Sequence, residues 1–325
     1  MMIDDEILGL LKSHPSEFLS GEAISRRLKV TRTAVWKRIR SLRALGYVID
    51  ASTRSGYHLV HAPDLLLPSE IFPILKTRWM GKKIHYFKTL DSTNSTAYQL
   101  ALHGAKEGEG VIAESQEKGR GRLGRQWVSP PFLNLYLSVI LRPPLPPHRA
   151  SLMTLLAAVA TADAIEKTSG LKPLIKWPND LLLGKRKVAG LLNEIHSETD
   201  HIHFVILGMG INLNMDEKLF PGDLRTKATS LKKEMGRPVS RKEFVCHLLK
   251  ALEQWYEIFL EKGNAPVLKA WRERARIEGK RVRVTSFGDV LRGRAVDIDS
   301  DGALILKTKG GVQKRIVAGD IEYRM

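Results

Sequence analysis

The run Gly119-Arg120-Gly121-Arg122-Leu123-Gly124 meets the G-x-G-x-x-G spacing of a phosphate-cradling turn, and the residues after it decide which folds remain open. In a dinucleotide-binding fold such glycines must open a helix, whose N-terminus meets the pyrophosphate. Here Arg125-Gln126-Trp127-Val128-Ser129-Pro130-Pro131 follows, and then an apolar strand over 133–141, so the dinucleotide-binding meaning is excluded. A kinase loop also lies between strands, but neither the H-R-D nor the D-F-G that a kinase needs comes later, and there is no Walker A. What is left is a flexible segment. Its glycines let the backbone approach a ligand closely, and its arginines present permanent planar cations to carboxylate or phosphate oxygens.

The rest of the composition narrows the class. With 325 residues the chain exceeds one ordinary core, and two or three domains are expected. The longest apolar stretch, within Leu152 to Ile165, is too short to span a bilayer and is interrupted by Thr154, Thr161 and Asp163. Met1-Met2-Ile3-Asp4-Asp5-Glu6 is acidic, unlike the positive start of a secretory signal, so a cytoplasmic protein without membrane association is expected. Cys246 is the only cysteine, which rules out an internal disulfide and a thiolate metal cage and leaves it the role of a small core residue.

The formal charge of +17 is unevenly spread: Ala23 to Ile49 holds eight Lys/Arg and no acid. A charge run alone equally describes a solvated face, so the local pattern has to decide. Ile3, Ile7, Leu10 and Leu11 recur at helical spacing, with Asp4, Asp5 and Glu6 at the end that the helix dipole favours for negative charge. Ser20-Gly21 opens a second helix carrying Ile24 and Leu28, and Thr31 is a good N-cap for a third from Arg32 to about Ala44. Val35, Ile39 and Leu42 form the apolar face of that third helix. Arg32, Thr33, Trp36, Lys37, Arg40 and Arg43 are left on other faces. Two strands, 47–49 and 57–60, joined by Ser52-Thr53-Arg54-Ser55-Gly56, complete a winged helix-turn-helix over residues 1–62. That layout sends the third helix into the major groove of DNA and gives Arg54 a backbone or minor-groove contact.

Residues 63–276 mix strands (84–87, 110–114, 133–141, 174–177, 203–208) with helices (93–102, 148–169, 241–262, 265–274) without regular alternation, which predicts an α+β domain with a mixed sheet. Residues 277–325 then show short strands at 280–286, 290–298, 303–308 and 313–317, the pattern of a small SH3-like β-barrel that leans on the central domain.

Gly119 to Trp127 resembles the glycine/arginine loop of bacterial biotin-protein ligases, and Lys176-Trp177-Pro178-Asn179-Asp180 resembles their K-W-P-N-D segment. Asp91-Ser92-Thr93-Asn94, Gln116, Lys187-Val188-Ala189-Gly190 and Gly208-Met209-Gly210-Ile211-Asn212 match as well. With the N-terminal domain the resemblance covers nearly the whole chain and points to the family's bifunctional ligase/repressors. Position 123 is Leu where some relatives carry another Arg, which removes one cation from the loop.

The resemblance implies that biotin and ATP, with Mg²⁺, react to give biotinyl-5'-AMP and pyrophosphate, and that biotin then passes to a lysine of a biotin carboxyl carrier protein. It implies Lys187 as the central cation with Arg122 beside it, and Asp180 as the group that steers or deprotonates the incoming lysine. Ser92, Thr93, Asn94 and Gln116, with Arg120, Gly121, Arg122 and Lys187, are expected to hold biotin. Arg120, Arg122, Arg125, Trp127, Asn179, Lys187 and Asn212 are expected to hold the adenylate. Ser92 or Thr93 could equally cap the following helix, and Asp180 could be a structural turn carboxylate. His196, His201 and His203 match no zinc spacing, and no metal is assigned to them. The resemblance also implies an adenylate-promoted homodimer on operator DNA. Two other readings stay open: a noncatalytic biotin-sensing repressor, and a related lipoate-protein ligase.

Overall fold

In the computed structural model the described residues are 3–52, 54–286 and 288–323, with side chains from Glu6 onward. The expectations placed on Met1, Met2, the side chains of Ile3, Asp4 and Asp5, Thr53 and Phe287 lie outside them. The chain forms two compact units, Met1–Pro73 and Ile74–Met325.

The first unit contains α1 (Ile3–Ser13), α2 (Gly21–Leu28), α3 (Arg32–Ala44), β1 (Val48–Ser52), β2 (Gly56–His61) and α4 (Pro68–Ile71). Ser20 and Thr31 accept from the amides of Ala23 and Ala34, fixing the starts of α2 and α3. Ile7, Leu11, Ile24, Val35, Ile39, Leu42 and Ile49 close its core. Leu19 bridges Tyr57 and lengthens the antiparallel β1–β2 wing, and its carbonyl oxygen lies 2.1 Å from where a Cβ on Gly56 would stand. Residues 63–73, read from sequence as the start of the next domain, belong to this unit. Leu65 is in its core, and the buried Glu70 accepts from Tyr47 (2.7 Å) and Lys12 (2.5 Å).

The second unit opens with β3 (Ile84–Leu90), α5 (Thr93–Leu102), β4 (Gly110–Gln116), β5 (Leu135–Leu141), α6 (Ser151–Ser169), β6 (Leu174–Lys176), β7 (Asp180–Leu183), β8 (Arg186–Ser197) and β9 (Ile202–Ile211). Its helices continue with α7 (Leu231–Met235), α8 (Arg241–Lys262) and α9 (Ala265–Ala275). The strands make one mixed sheet in the order β3-β4-β5-β9-β8-β7-β6, parallel only between β3 and β4. Helix α6 is apolar round most of its circumference and is buried accordingly; α8, α9 and strands β6 to β9 contact it. Arg241, the first residue of α8, is fully buried and pairs with the equally buried Glu114 of β4 at 2.6 Å, tying helix to sheet.

Strands β10 (Arg281–Ser286), β11 (Asp289–Ile298), β12 (Leu304–Thr308), β13 (Gln313–Ile316) and β14 (Asp320–Tyr323) form an antiparallel sheet in the order β13-β12-β11-β10-β14. Sequence periodicity indicated the first four; β14 was not foreseen. Among the described residues no helix is long and apolar enough to cross a membrane.

Candidate active site and DNA-facing surface

Register builds the floor of the site. Tyr136 on β5, Gly210 on β9, Gly190 on β8 and Asp180 on β7 stand opposite one another in a row, and Ser138, Gly208 and Leu192 form the next. The glycines are demanded by what lies above them. A Cβ on Gly210 would meet the Trp127 ring at 2.5 Å, one on Gly190 would meet it at 2.8 Å, and one on Gly208 would meet Asn94 Oδ1 at 2.0 Å.

Over this floor the Gly/Arg segment folds back as a hairpin: Trp127 N–H donates to Gly119 (2.8 Å), Gly121 N–H donates to Arg125 (2.7 Å), and Arg120 bridges Gln126. Leu123 is at its tip with φ +56° and is 72% exposed. Beneath lies a cavity of about 850 Å³, of a size to hold a drug-sized ligand. Every residue named from sequence for biotin, adenylate or catalysis lines it: Ser92, Thr93, Asn94, Gln116, Arg120, Gly121, Arg122, Arg125, Trp127, Asn179, Asp180, Lys187 and Asn212.

One part of the cavity lining is a hydrogen-bonding network of uncharged side chains that ends on the Glu194 carboxylate. Gln116 accepts from the amide (2.8 Å) and hydroxyl (3.1 Å) of Thr93, Ser138 donates to Thr93 (2.8 Å) and Asn94 (2.6 Å), and Asn94 donates to Glu194 (2.7 Å). Ser92 occupies the N-cap position of α5 but makes no capping side-chain bond; Gln116 takes the first-turn amide in its place. Another part of the lining carries a lysine. Lys187 Nζ lies 2.6 Å from Asp180 Oδ1 and 5.2 Å from the centre of the Trp127 ring. The 187 backbone is clamped by Lys227 (2.7 Å) and Thr229 (2.9 Å), and Asn212 donates to the Thr229 carbonyl (3.0 Å). The K-W-P-N-D segment is the turn between β6 and β7, where Asn179 donates to Leu191 O (2.7 Å) and accepts from Arg122 (3.2 Å).

Further groups hold the arginines, and sequence reasoning passed over them. Glu194 pairs with Arg120 at 2.8 Å; Asp320, at the start of β14, pairs with Arg125 and stands 3.8 Å from Arg122; Gly319 O accepts from Arg122 at 3.2 Å. Burial draws the Arg122 guanidinium below its ordinary pKa, against the pull of Asp320 and Asp180. The two-residue alternation of β8 from Gly190 through Leu192 could have brought Glu194 forward; no local signal marks Asp320. The Trp127 indole N–H is buried without a partner among the described residues.

In the first unit Arg32, Thr33, Trp36, Lys37 and Arg40 of α3 are all exposed, and the Arg40 guanidinium lies 5.8 Å from the Trp36 ring. Arg54 is exposed in the wing turn. Arg43 is exposed as well and also bonds within the unit: its Nε donates to Ile49 O at 2.9 Å, and a second guanidinium nitrogen donates to the same carbonyl. It ties α3 to β1.

Residues 86–212 match the Biotin/lipoate A/B protein ligase family, 278–324 the biotin protein ligase C-terminal domain, and 5–58 an HTH domain. The chain is 39% identical over 317 residues to a bifunctional ligase/repressor of Bacillus subtilis, covering 98% of this chain and 97% of that protein. It is 32% identical to the Escherichia coli bifunctional ligase/repressor, covering 95% and 94%. The biotin protein ligase from Aquifex aeolicus, solved with biotin and ATP, superposes with a TM-score of 0.64 at 28% identity, over 75% of this chain and 99% of that one.

Proposed function

This chain belongs to the biotin protein ligase family, and we propose that it is a bifunctional ligase/repressor in which Lys187 and the Arg120–Arg125 hairpin join biotin to AMP in the cavity they line. The observation that carries this reading is the meeting of the hairpin's three arginines and Lys187 around one cavity that Ser92, Thr93, Asn94 and Gln116 also line.

Biotin's ureido ring lies among Ser92, Thr93, Asn94 and Gln116, whose donors and acceptors suit it, and its carboxylate points toward Arg120, Gly121, Arg122 and Lys187. ATP enters as its magnesium complex. The carboxylate oxygen attacks the α-phosphorus, the bond to the β-phosphate bridging oxygen breaks, and pyrophosphate leaves. Two anions must be brought together for this, and fixed cations in a partly desolvated site offset their repulsion without reorganising. Arg122 and Lys187 supply that charge at the reacting atoms, while Arg125, Trp127, Asn179 and Asn212 hold the nucleotide. A lysine amine of the carrier protein then attacks the acyl carbon, AMP leaves, and Asp180 accepts the amine's proton. The C-terminal sheet, which we read as an SH3-like barrel, contributes Asp320 to hold Arg125.

The same adenylate links catalysis to DNA. It orders the arginine hairpin and promotes a homodimer, which sets two α3 helices, through Arg32, Thr33, Trp36, Lys37 and Arg40 with Arg54 from the wing, on two half-sites of an operator. Incubation of the protein with labelled biotin, Mg-ATP and a biotin carboxyl carrier domain tests the enzymatic reading, and label transfer is expected. Absence of label, or preference for lipoate over biotin, would overturn it. Footprinting with and without biotin plus ATP tests the coupling; protection that ignores the adenylate would sink it.

A further inference from the structure

The β8–β9 hairpin ends in a histidine cluster away from the residues given to the reaction. Glu198 N–H donates to His201 O (3.0 Å), closing the turn between the strands, and the turn brings one donor atom each of Glu198, His201 and His203 within 4.8 Å of one another. Sequence spacing assigned these histidines no metal, because the fixed intervals of zinc motifs describe helices and knuckles, whereas here a strand pair folds the ligands together.

We propose that Glu198, His201 and His203 form a site for a borderline divalent cation of the zinc class. Two imidazoles and one carboxylate are a donor set such ions take, with a fourth position left to water. His203 Nε2 stands 3.0 Å from Glu198 Oε1, close to the ~3.3 Å edge of a tetrahedron whose ligands lie 2.0–2.1 Å from the metal. Asp200 Oδ1 lies 2.9 Å from His201 Nδ1, which would leave that ring's Nε2 for the ion, while the carboxylate fixes the tautomer and raises its basicity. All three ligands are reachable from solvent: Glu198 and His201 are exposed and His203 is half-buried. From the other side His196 packs against His203, with ring centres 5.3 Å apart, and is itself held by Tyr98 at 2.9 Å and stacked on Phe204. The ion would clasp the turn of the strand pair whose other end forms the floor of the cavity.

Two ordinary surface ion pairs, Asp200 with His201 and Glu198 with His203, are the competing explanation, and metal binding separates the two. Untagged, chelator-treated full-length protein is titrated with Co²⁺ in excess Mg²⁺, following visible d–d absorption, and then with competing Zn²⁺. A single equivalent should give tetrahedral-type absorption that Zn²⁺ abolishes, and Zn²⁺ should raise the melting temperature. His201→Gln and His203→Gln should each weaken Co²⁺ affinity at least tenfold, and Asp200→Asn by a smaller factor. The double variant should keep the metal-free melting temperature and lose the Zn²⁺-dependent rise. Octahedral-type absorption only, or binding unchanged in the double variant, would overturn the proposal.

Discussion

Lys187 Nζ and Asp180 Oδ1 stand 2.6 Å apart on neighbouring strands, so the cation proposed for the reacting atoms and the proposed proton acceptor hold one another. Their proposed roles differ, and so should their variants. Lys187→Gln removes a charge-assisted contact of roughly 1.5–3 kcal/mol and should lower adenylate formation by about 10- to 150-fold. Asp180→Asn should leave adenylate formation within a few-fold and slow transfer to the carrier lysine. Single-turnover assays of pyrophosphate release and carrier labelling separate the steps; an equal loss in both for Asp180→Asn would assign it to positioning Lys187 alone.

Gly208→Ala tests the biotin end. The added methyl would stand 2.0 Å from Asn94 Oδ1 and must displace the side chain that Ser138 and Glu194 hold. Losing buried hydrogen bonds of this kind costs roughly 1–3 kcal/mol, so biotin affinity should fall about 5- to 150-fold with the fold retained. Equilibrium dialysis with labelled biotin measures it, and unaltered affinity would move biotin elsewhere in the cavity.

The arginines of α3 should divide by what they touch. Arg32→Ala and Arg40→Ala should each weaken operator binding and flatten the plot of log affinity against log salt by about 0.9, the release expected per lost phosphate contact. Arg43→Ala should leave that slope unchanged and instead lower the stability of the first unit, because it frees the Ile49 carbonyl.

A pH response is written into Glu109. Burial by itself would raise its carboxyl, but hydrogen bonds from His85, the Lys106 amide and Lys83 bring it down from 4.5 to about 2. A depressed carboxyl stabilises the fold fully above its ordinary value, and the contribution fades as pH falls through 4.5 toward 2. The shift corresponds to about 3 kcal/mol. In urea titrations at neutral pH and at about pH 3, Glu109→Gln should be less stable than the parent at the first and lose less on going to the second.

Cys246 is buried in α8, and desolvation pushes its thiol from 9.0 up to about 11. The native chain should therefore hold about a hundredth of the ordinary thiolate fraction at mildly alkaline pH. Titration with a chromogenic disulfide should find one reactive thiol in denaturant and almost none without it; rapid native labelling would contradict the burial.

Local chemistry made the N-terminal unit legible: the Thr31 cap, the Val35, Ile39 and Leu42 stripe and the turn around Arg54 each carry their signal within a few residues. The Gly/Arg segment was legible by exclusion, since the prolines after it forbid a helix. Residues whose meaning comes from pairing were not. Glu194 becomes a partner of Arg120 only once β8 meets β9 and α5 lies above them. Nothing near Arg43 in sequence tells that its guanidinium also donates to Ile49 O. Residues 63–73 read as the start of the next domain because neither their prolines nor Glu70 reveals that Lys12 and Tyr47 donate to that carboxylate.

Asp320 meets Arg125 across 195 residues of chain. At about 5–20 residues per second, a ribosome takes roughly 10–40 s to travel from one to the other. In the later part of that interval, once Ile211 has been made, a newborn chain can possess the sheet, both glycine rows and the arginine hairpin while still missing the carboxylate that fastens Arg125. Competence to bind the anionic intermediate thus arrives late in biosynthesis, after most of the scaffold around it has been spoken for.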